Sequence, residues 1–279
     1  MRFLVTSASG ANGDGDGYGA LLTFGPGGEF LGPFSSDPRI ADPRGLCADP
    51  SGALVYLNSG SDRVLALDHH GSIVRDSGPI PGLDPGGGTF GPDGRYYVGM
   101  RRRRTVLGLP AALDGPGETV LPDGIVPFPR GFGFGPDGRL YLASGATPSG
   151  GGDNTIAVFG RAGTLCTPGL VTDPELSPLD LAIAPSGNIV VSSERPLGAA
   201  DAVTGVREYD PATGALVRVL MPPRPAGFGR PRGLRFGPGD RLYCVAEDQV
   251  AAFDFATGSF ADPVVQFTRL NGQALVLIP

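Results

Sequence analysis

The sequence predicts an all-β fold of six small antiparallel sheets, four strands each, set as blades around one axis. A recurring phrase is the first observation behind this. PRGFGFGPDGRLYLAS from Pro129 to Ser144 returns as PRGLCADPSGALVYLN at Pro43 and PGGGTFGPDGRYYVGM at Pro85, then as PLDLAIAPSGNIVVSS at Pro178 and PRGLRFGPGDRLYCVA at Pro231. The second observation is that the chain ends with GQALVLIP and begins with MRFLVTS, which joined tail to head rebuild a sixth unit. The marker positions Gly45, Gly87, Gly131, Asp180, Gly233 and Ala274 lie 42, 44, 49, 53 and 41 residues apart, and 50 around the joined ends. A period of roughly 20–50 residues marks a repeat architecture, in which each unit needs its neighbours to cover its apolar faces. Four short strands per unit without helical periodicity define a six-bladed β-propeller.

Each unit reads as a run of strands between tight turns. Arg2–Thr6 alternates like a strand, and Ala8–Gly19 is a polar glycine loop. Gly19–Phe24 and Glu29–Phe34 form a hairpin across Gly25-Pro26-Gly27-Gly28. In the second unit, strands are expected at Leu46–Ala48, Leu54–Leu57, Arg63–Leu67 and Ser72–Arg75, reversed at Asp49-Pro50-Ser51-Gly52 and His69-His70-Gly71. The blades are placed at residues 272–279 plus 1–36, then 43–76, 85–122, 129–172, 178–221 and 231–268, in one domain spanning 1–279. The longer intervals are taken up by loop insertions at Thr147–Asn154, Pro196–Gly205 and Pro222–Gly229. Pairing Leu275–Ile278 with Phe3–Thr6 closes the ring and removes an open sheet edge. A glycine at the start of the inner strand, as in four of the six units, suits the crowding near the axis.

Composition narrows the function. The 47 Gly and 29 Pro recur in register, as turn punctuation and not as a low-complexity tract. Net charge is −6 and pI near 4.9, which speaks against nucleic acid or an anionic membrane surface as partner. All 22 basic residues are Arg, which removes lysine Schiff-base and lysine general-base chemistry. Cys47, Cys166 and Cys244 are odd in number and lack metal-knuckle spacing, so they read as buried, reduced thiols. MRFLVTSASG is too short an apolar run for a signal peptide, and no stretch approaches membrane-spanning length. The expectation is a cytoplasmic monomer.

Sorting residues by blade geometry places the starts of the innermost strands and the ends of the second strands on one face. Arg44, Arg130 and Arg232 arrive there at matching places, with Gly86, Leu179 and Gln273 completing the ring. Ends of second strands supply Asn58, Ser144 and Ser193, and the loops beyond them Glu194 and Glu247. Converging guanidinium groups bind carboxylate or phosphate in a forked geometry. Arg44, Arg130, Arg232, Asn58, Ser144, Ser193 and Gln273 are therefore candidates for binding a small anionic molecule. Of the run Arg101–Arg104, alternation would send two inward over the channel and two to solvent. Asn12, Asp14 and Asp16 resemble the opening of a calcium loop, but its twelfth position is Thr23 and not a bidentate Glu. Gly133-Phe-Gly135-Pro-Asp-Gly138 matches a dinucleotide fingerprint in letters only, since it precedes a strand and recurs as a hairpin turn.

The segment GALVYLNSGSDRVLALD (Gly52–Asp68) resembles an NHL repeat, and the whole chain is similar to the six-bladed NHL, gluconolactonase (senescence-marker-like) and streptogramin-lyase group. That resemblance implies a propeller but leaves the activity open, because the fold hosts unrelated functions. It also implies a divalent metal at the channel mouth, held by acids, Asn or His, and in the lyases a catalytic His. At the matching positions this chain offers Asn58, then serines, Met100 and Ala246. Glu194 and Glu247 each fall one residue late, Asp180 replaces a glycine, and His69 and His70 sit in a turn on the opposite face. A rearranged set of Asp180, Glu194 and Glu247 would serve as catalytic base or as ligands for Ca²⁺ or Mg²⁺. Two readings follow. One is a lactonase- or lyase-like pocket for a small anion; the other is a non-catalytic scaffold presenting a face to a protein partner.

Overall fold

The computed structural model describes residues 1–8, 19–145, 154–160, 163–173, 175–194, 204–220, 228 and 230–279. Six four-stranded antiparallel sheets account for their regular structure. The first blade comprises β1 (Arg2–Ser7), β2 (Ala20–Phe24) and β3 (Phe30–Pro33), with its inner strand supplied by the chain's end. The second is β4 (Leu46–Ala48), β5 (Val55–Ser59), β6 (Arg63–Leu67) and β7 (Ile73–Asp76). The third is β8 (Pro85–Phe90), β9 (Tyr96–Met100), β10 (Thr105–Leu109) and the two-residue β11 (Glu118–Thr119). The fourth is β12 (Pro129–Phe134), β13 (Leu140–Ser144), β14 (Thr155–Phe159) and β15 (Leu165–Thr172). The fifth is β16 (Pro178–Ile183), β17 (Ile189–Ser193), β18 (Gly205–Tyr209) and β19 (Leu216–Leu220). The sixth is β20 (Pro231–Phe236), β21 (Arg241–Ala246), β22 (Gln249–Asp254) and β23 (Phe260–Gln266). Finally β24 (Gly272–Ile278) returns to β1, pairing Arg2 with Ile278, Leu4 with Val276 and Thr6 with Ala274. The inner strands β24, β4, β8, β12, β16 and β20 touch in that order and close the ring.

The two middle strands of each blade are buried throughout or nearly so, as in β5, β9, β13 and β17, because both of their faces meet a neighbouring sheet. Leu4, Leu46, Leu57 and Val276 pack together across the closure between the first and second blades. Phe3, Val5, Tyr243 and Leu275 do the same between the sixth and first. Outer strands are wetter, and Leu216, Val217 and Val219 of β19 are exposed.

The turn after the inner strand carries a glycine at positive φ in four blades, Gly52, Gly94, Gly138 and Gly187, each donating its N–H to a carbonyl three residues back. The sixth blade reverses the last two letters of the phrase. Its Gly237-Pro-Gly-Asp240 turn puts both Gly239 and Asp240 at positive φ and winds Pro238–Asp240 into a short 3-10 turn. Of the thiols, Cys244 is buried and Cys47 half-buried, but Cys166 is exposed on the outer strand β15, against the expectation that all three are core residues. Outer-strand side chains have a neighbouring sheet on one side at most, which is why the position does not require burial.

The turn between third and fourth strands fastens each blade to the one before it. A Cβ at Gly71 would overlap the Phe34 carbonyl, at Gly163 that of Val120, and at Gly214 that of Leu170, all at positive φ. Gly71→Ala therefore combines backbone strain with a clash against main chain that cannot rotate away. It is expected to cost about 1–3 kcal/mol, read as a lower urea midpoint, whereas the same change at Gly52, where the space is open, costs only the strain.

Candidate functional site

A β-bulge interrupts the start of five of the six inner strands, β4 being the exception. Register shifts between Pro85 and Gly88, Pro129 and Phe132, Pro178 and Leu181, and Pro231 and Leu234, so two residues are left out of the ladder each time. In β24 the shift falls at Gln273. Proline brings no N–H to the ladder, and bulges of this kind turn a side chain out of the sheet plane. The N–H groups freed by the bulge find side chains on the second strand: Asp180 donates to Ser192 Oγ at 2.9 Å and Ala274 to Thr6 Oγ1 at 2.9 Å. Arg130 and Arg232 fall in such bulges, with Leu179 and Gln273 at the matching places, while Arg44 stands just ahead of β4 with its N–H on the Asn58 carbonyl.

The mouth encloses a cavity of about 330 Å³, at the small end of ligand sites. Arg44, Arg101, Arg130 and Arg232 stand in its wall with Glu194 and Gln273, the apolar part comes from Pro85, Phe128, Leu179 and Ala274, and Asp180 and Arg235 also border it. Arg44 is bound to Asp42 at 2.6 Å, and Arg101 to Asp84. Arg130, 13 % exposed, donates to the Pro178 carbonyl at 3.1 Å and lies 3.7 Å from Glu194. Phe128 receives both the Arg101 and the Arg130 guanidinium on its ring, at 5.7 and 5.3 Å from the centroid. The Nε of Arg232 is buried without a hydrogen-bond partner.

Burial pushes the Arg130 guanidinium down to about 10, with Arg232 and Arg101 adding repulsion that the Glu194 carboxylate only partly offsets. Burial lowers Arg232 and Arg101 as well, Arg230 and Arg44 repelling the first and Arg44 the second. All of them remain protonated at neutral pH. The mouth is thus a place where desolvated positive charge is held together against its own repulsion, the condition under which an anion is worth most.

Beneath the mouth, Arg235 crosses the channel. It binds Asp180 Oδ2 at 2.9 Å and the Leu46 carbonyl of the second blade at 2.6 Å, while Asp180 Oδ2 also accepts the Leu234 N–H at 3.0 Å. Burial works against the charged guanidinium, but the facing Asp180 carboxylate outweighs it and holds Arg235 above its ordinary range.

The structure brings Arg44, Arg130, Arg232, Gln273, Asp180 and Glu194 to one cavity. Asn58, Ser144, Ser193 and Glu247 do not join them. Asn58 is buried, donates to the Gly86 carbonyl at 3.0 Å and accepts from the Tyr96 hydroxyl at 2.8 Å, so its amide is consumed in joining two blades. Ser144 accepts from the Phe128 N–H at 3.4 Å and Ser193 from the Ser177 N–H at 2.9 Å, each tying down the segment that enters the inner strand of its own blade. Glu247 is exposed in a turn at φ 44, where its carbonyl accepts from Gly272. Of the arginine run, Arg101 alone lines the mouth while Arg102, Arg103 and Arg104 are exposed. The segment is a turn with Arg104 at φ 60, so strand alternation does not apply to it. His69 is bound to the Gly52 carbonyl at 2.8 Å, within the turns of its own blade.

Sequence reasoning missed Arg235 and Phe128 as wall residues, and sent two of Arg101–Arg104 inward where the structure turns in Arg101. Arg235 had a signal: two places past the marker the other blades carry Cys47, Thr89, Gly133, Ala182 and Val276, and it is the one charged residue in the set. Among the described residues, no three His, Cys, Asp or Glu side chains come together to hold a metal ion. The two acids of the mouth face arginines, and Asp180 is spent on Arg235 and backbone N–H groups, so these residues do not fit the divalent cation that the resemblance implies. Asn12, Asp14 and Asp16 lie outside the described residues. No helix among the described residues is long and apolar enough to cross a membrane.

The chain is a six-bladed β-propeller with an arginine-walled mouth. Its fold is that of a chain from a nidogen/laminin complex (TM-score 0.74, 16 % identity, 99 % of this chain and 97 % of that one). It is similar also to a gluconolactonase from Xanthomonas campestris (0.65, 16 % identity, 96 % and 85 % covered) and to virginiamycin B lyase from Staphylococcus aureus (0.56, 16 % identity, 78 % and 68 % covered). At such identities the likeness is one of fold. No protein-family model and no curated protein sequence matches the chain.

Proposed function

We propose that the protein binds a small anionic molecule in the channel mouth. The observation that carries this reading is the convergence of Arg44, Arg101, Arg130 and Arg232 on the wall of one cavity, where desolvation lowers Arg101, Arg130 and Arg232 together. A carboxylate or phosphate oxygen makes strong charge-assisted bonds to guanidinium groups and offsets the repulsion between them. Neighbours named as a gluconolactonase and a virginiamycin B lyase accord with small-molecule binding, while the nidogen/laminin neighbour fits the alternative of a protein-binding face. The reading stops at binding and names no bond-making step, because Asp180 is held in an ion pair and both histidines lie away from the cavity wall.

Arg232→Gln tests it. The variant keeps a polar side chain of similar length, so its melting temperature should stay within a few degrees of wild type. Its affinity for small carboxylates or phosphates in calorimetric titration should fall about 10- to 100-fold, the worth of one hydrogen bond to a charged group. Equal affinity in the two proteins, or no binding of any anion at millimolar concentration, would sink the reading and favour the scaffold.

A further inference from the structure

Most polar groups of the mouth are engaged within the protein, and those that are not lie together. Arg44 and Arg101 are bound to Asp42 and Asp84, Arg235 to Asp180, and Arg130 donates to the Pro178 carbonyl at 3.1 Å. Arg232 differs: among the described residues its guanidinium has neither a hydrogen bond nor a carboxylate at ion-pair distance. Its Nε is buried, so the two terminal amino groups are what it offers the cavity. On the blade before it stands Glu194, whose charge acts on Arg232 and Arg130 alike. Glu194 lies 3.7 Å from Arg130, beyond hydrogen-bond reach, and its carboxylate accepts no hydrogen bond among the described residues. The Ser177 carbonyl accepts the Glu194 N–H at 3.2 Å, which sets the two residues side by side. Ser177 is 3 % exposed and lines the cavity, and its hydroxyl has no partner among the described residues. On the blade after, Gln273 runs against the backbone of Gly233, gives its amide N–H to the Asn271 carbonyl at 3.0 Å and keeps its amide oxygen unbonded.

Resting on the reading above, we propose that the ligand is a zwitterion of the α-amino-acid type, its carboxylate on the terminal amino groups of Arg232 and its ammonium group on Glu194. An acid bound at Arg232 comes up beside the Glu194 carboxylate, which already acts on the same guanidinium. A ligand that is only an anion meets that carboxylate as a like charge in a partly desolvated place, where repulsion is strong. An ammonium group next to the acid turns the repulsion into a charge-assisted bond. A hydroxyl in its place would reach Glu194 without offsetting its charge. An ammonium has three donors to satisfy, and the Ser177 hydroxyl and the Gln273 amide oxygen stand in the same wall as further acceptors. Phe128, Leu179, Pro85 and Ala274 bound the rest of the cavity and suit an aliphatic side chain.

Calorimetric titration of the whole chain with leucine and three analogues tests this. In the analogues, 4-methylpentanoate lacks the ammonium group, 2-hydroxy-4-methylpentanoate carries a hydroxyl instead, and 3-methylbutylamine lacks the carboxylate; inorganic phosphate serves as the plain anion. Leucine should exceed each analogue by about tenfold or more, the worth of a hydrogen bond to a charged group. Glu194→Gln should weaken leucine by about as much and at the same time strengthen 4-methylpentanoate, because the like charge is gone. A variant that had only lost its shape would bind both acids less, and the analogue series on the unaltered chain decides even if the variant does not fold. If 4-methylpentanoate or the hydroxy acid binds as tightly as leucine, or if Glu194→Gln weakens both acids equally, the zwitterion is wrong and the anion site stands. If neither phosphate nor any of the acids binds at millimolar concentration, the anion site falls and the amino acid with it.

Discussion

Arg235→Ala should lower the stability of the protein by about 3–5 kcal/mol, the usual cost of removing one partner of a buried ion pair. The Asp180 carboxylate would remain, 15 % exposed, with only the Leu234 and Leu181 N–H groups to hold its charge. Burial of a charge without its counter-charge is among the few ways one substitution produces an effect of this size. The Leu46 carbonyl of the second blade would also lose its donor, so the change loosens a tie that spans the channel. The remedy is written in the other blades, which carry Gly or Ala at the place of Asp180 and no charge at the place of Arg235. Asp180→Gly with Arg235→Thr should therefore recover most of the loss, since removing both charges removes the unmet one. Guanidinium unfolding of the two single variants and the double variant measures this as a coupling energy. A single Arg235→Ala variant within about 1 kcal/mol of wild type would show that the pair is not what it is argued to be; the typical surface pair is worth no more than that.

The same pair shows how far the residues could be read without coordinates. The repeat made the propeller legible, and the split sixth unit made the closure of β1 on β24 legible, because strand period and turn residues are local properties that the chain states six times. The arginine ring was legible for the same reason: position relative to the repeat marker fixes position around the axis. What was hidden depends on contacts between units. Asp180 reads as a free acid until the neighbouring blade's Arg235 is brought to 2.9 Å. Asn58 reads as a ligand until Tyr96 and the Gly86 carbonyl use up its amide. Phe128 lies just ahead of the repeated phrase, so no register argument could place it over two guanidinium groups. Ser144 and Ser193 were placed on the right face, but their hydroxyls serve the segment entering the inner strand and not the cavity.

Deleting residues 272–279 should abolish cooperative folding altogether. The missing strand takes six ladder pairs from β1, between Arg2–Ile278 and Ser7–Gly272, and leaves that strand as an open edge facing the axis. It also empties two interfaces at once. Ala274, Val276 and Ile278 leave the core shared with the second blade, and Leu275 leaves the core shared with the sixth. Burial of Leu, Val and Ile side chains is worth about 1.5–3 kcal/mol each, so these losses alone approach the roughly 5–15 kcal/mol by which folded domains are stable. An unpaired edge beside a solvated apolar face is moreover a template for association, and the shortened chain should appear in the insoluble fraction. Joining the ends instead gives the opposite expectation. A circular permutant that links Pro279 to Met1 through a few glycines and opens at the exposed Pro92-Asp93-Gly94 turn keeps every strand pair. Its unfolding should stay cooperative and within a few kcal/mol of wild type, because the break falls where the backbone is exposed and the link joins strands already side by side. A truncated chain that unfolds in one sharp transition near the wild-type midpoint would mean that the ring does not depend on its last strand.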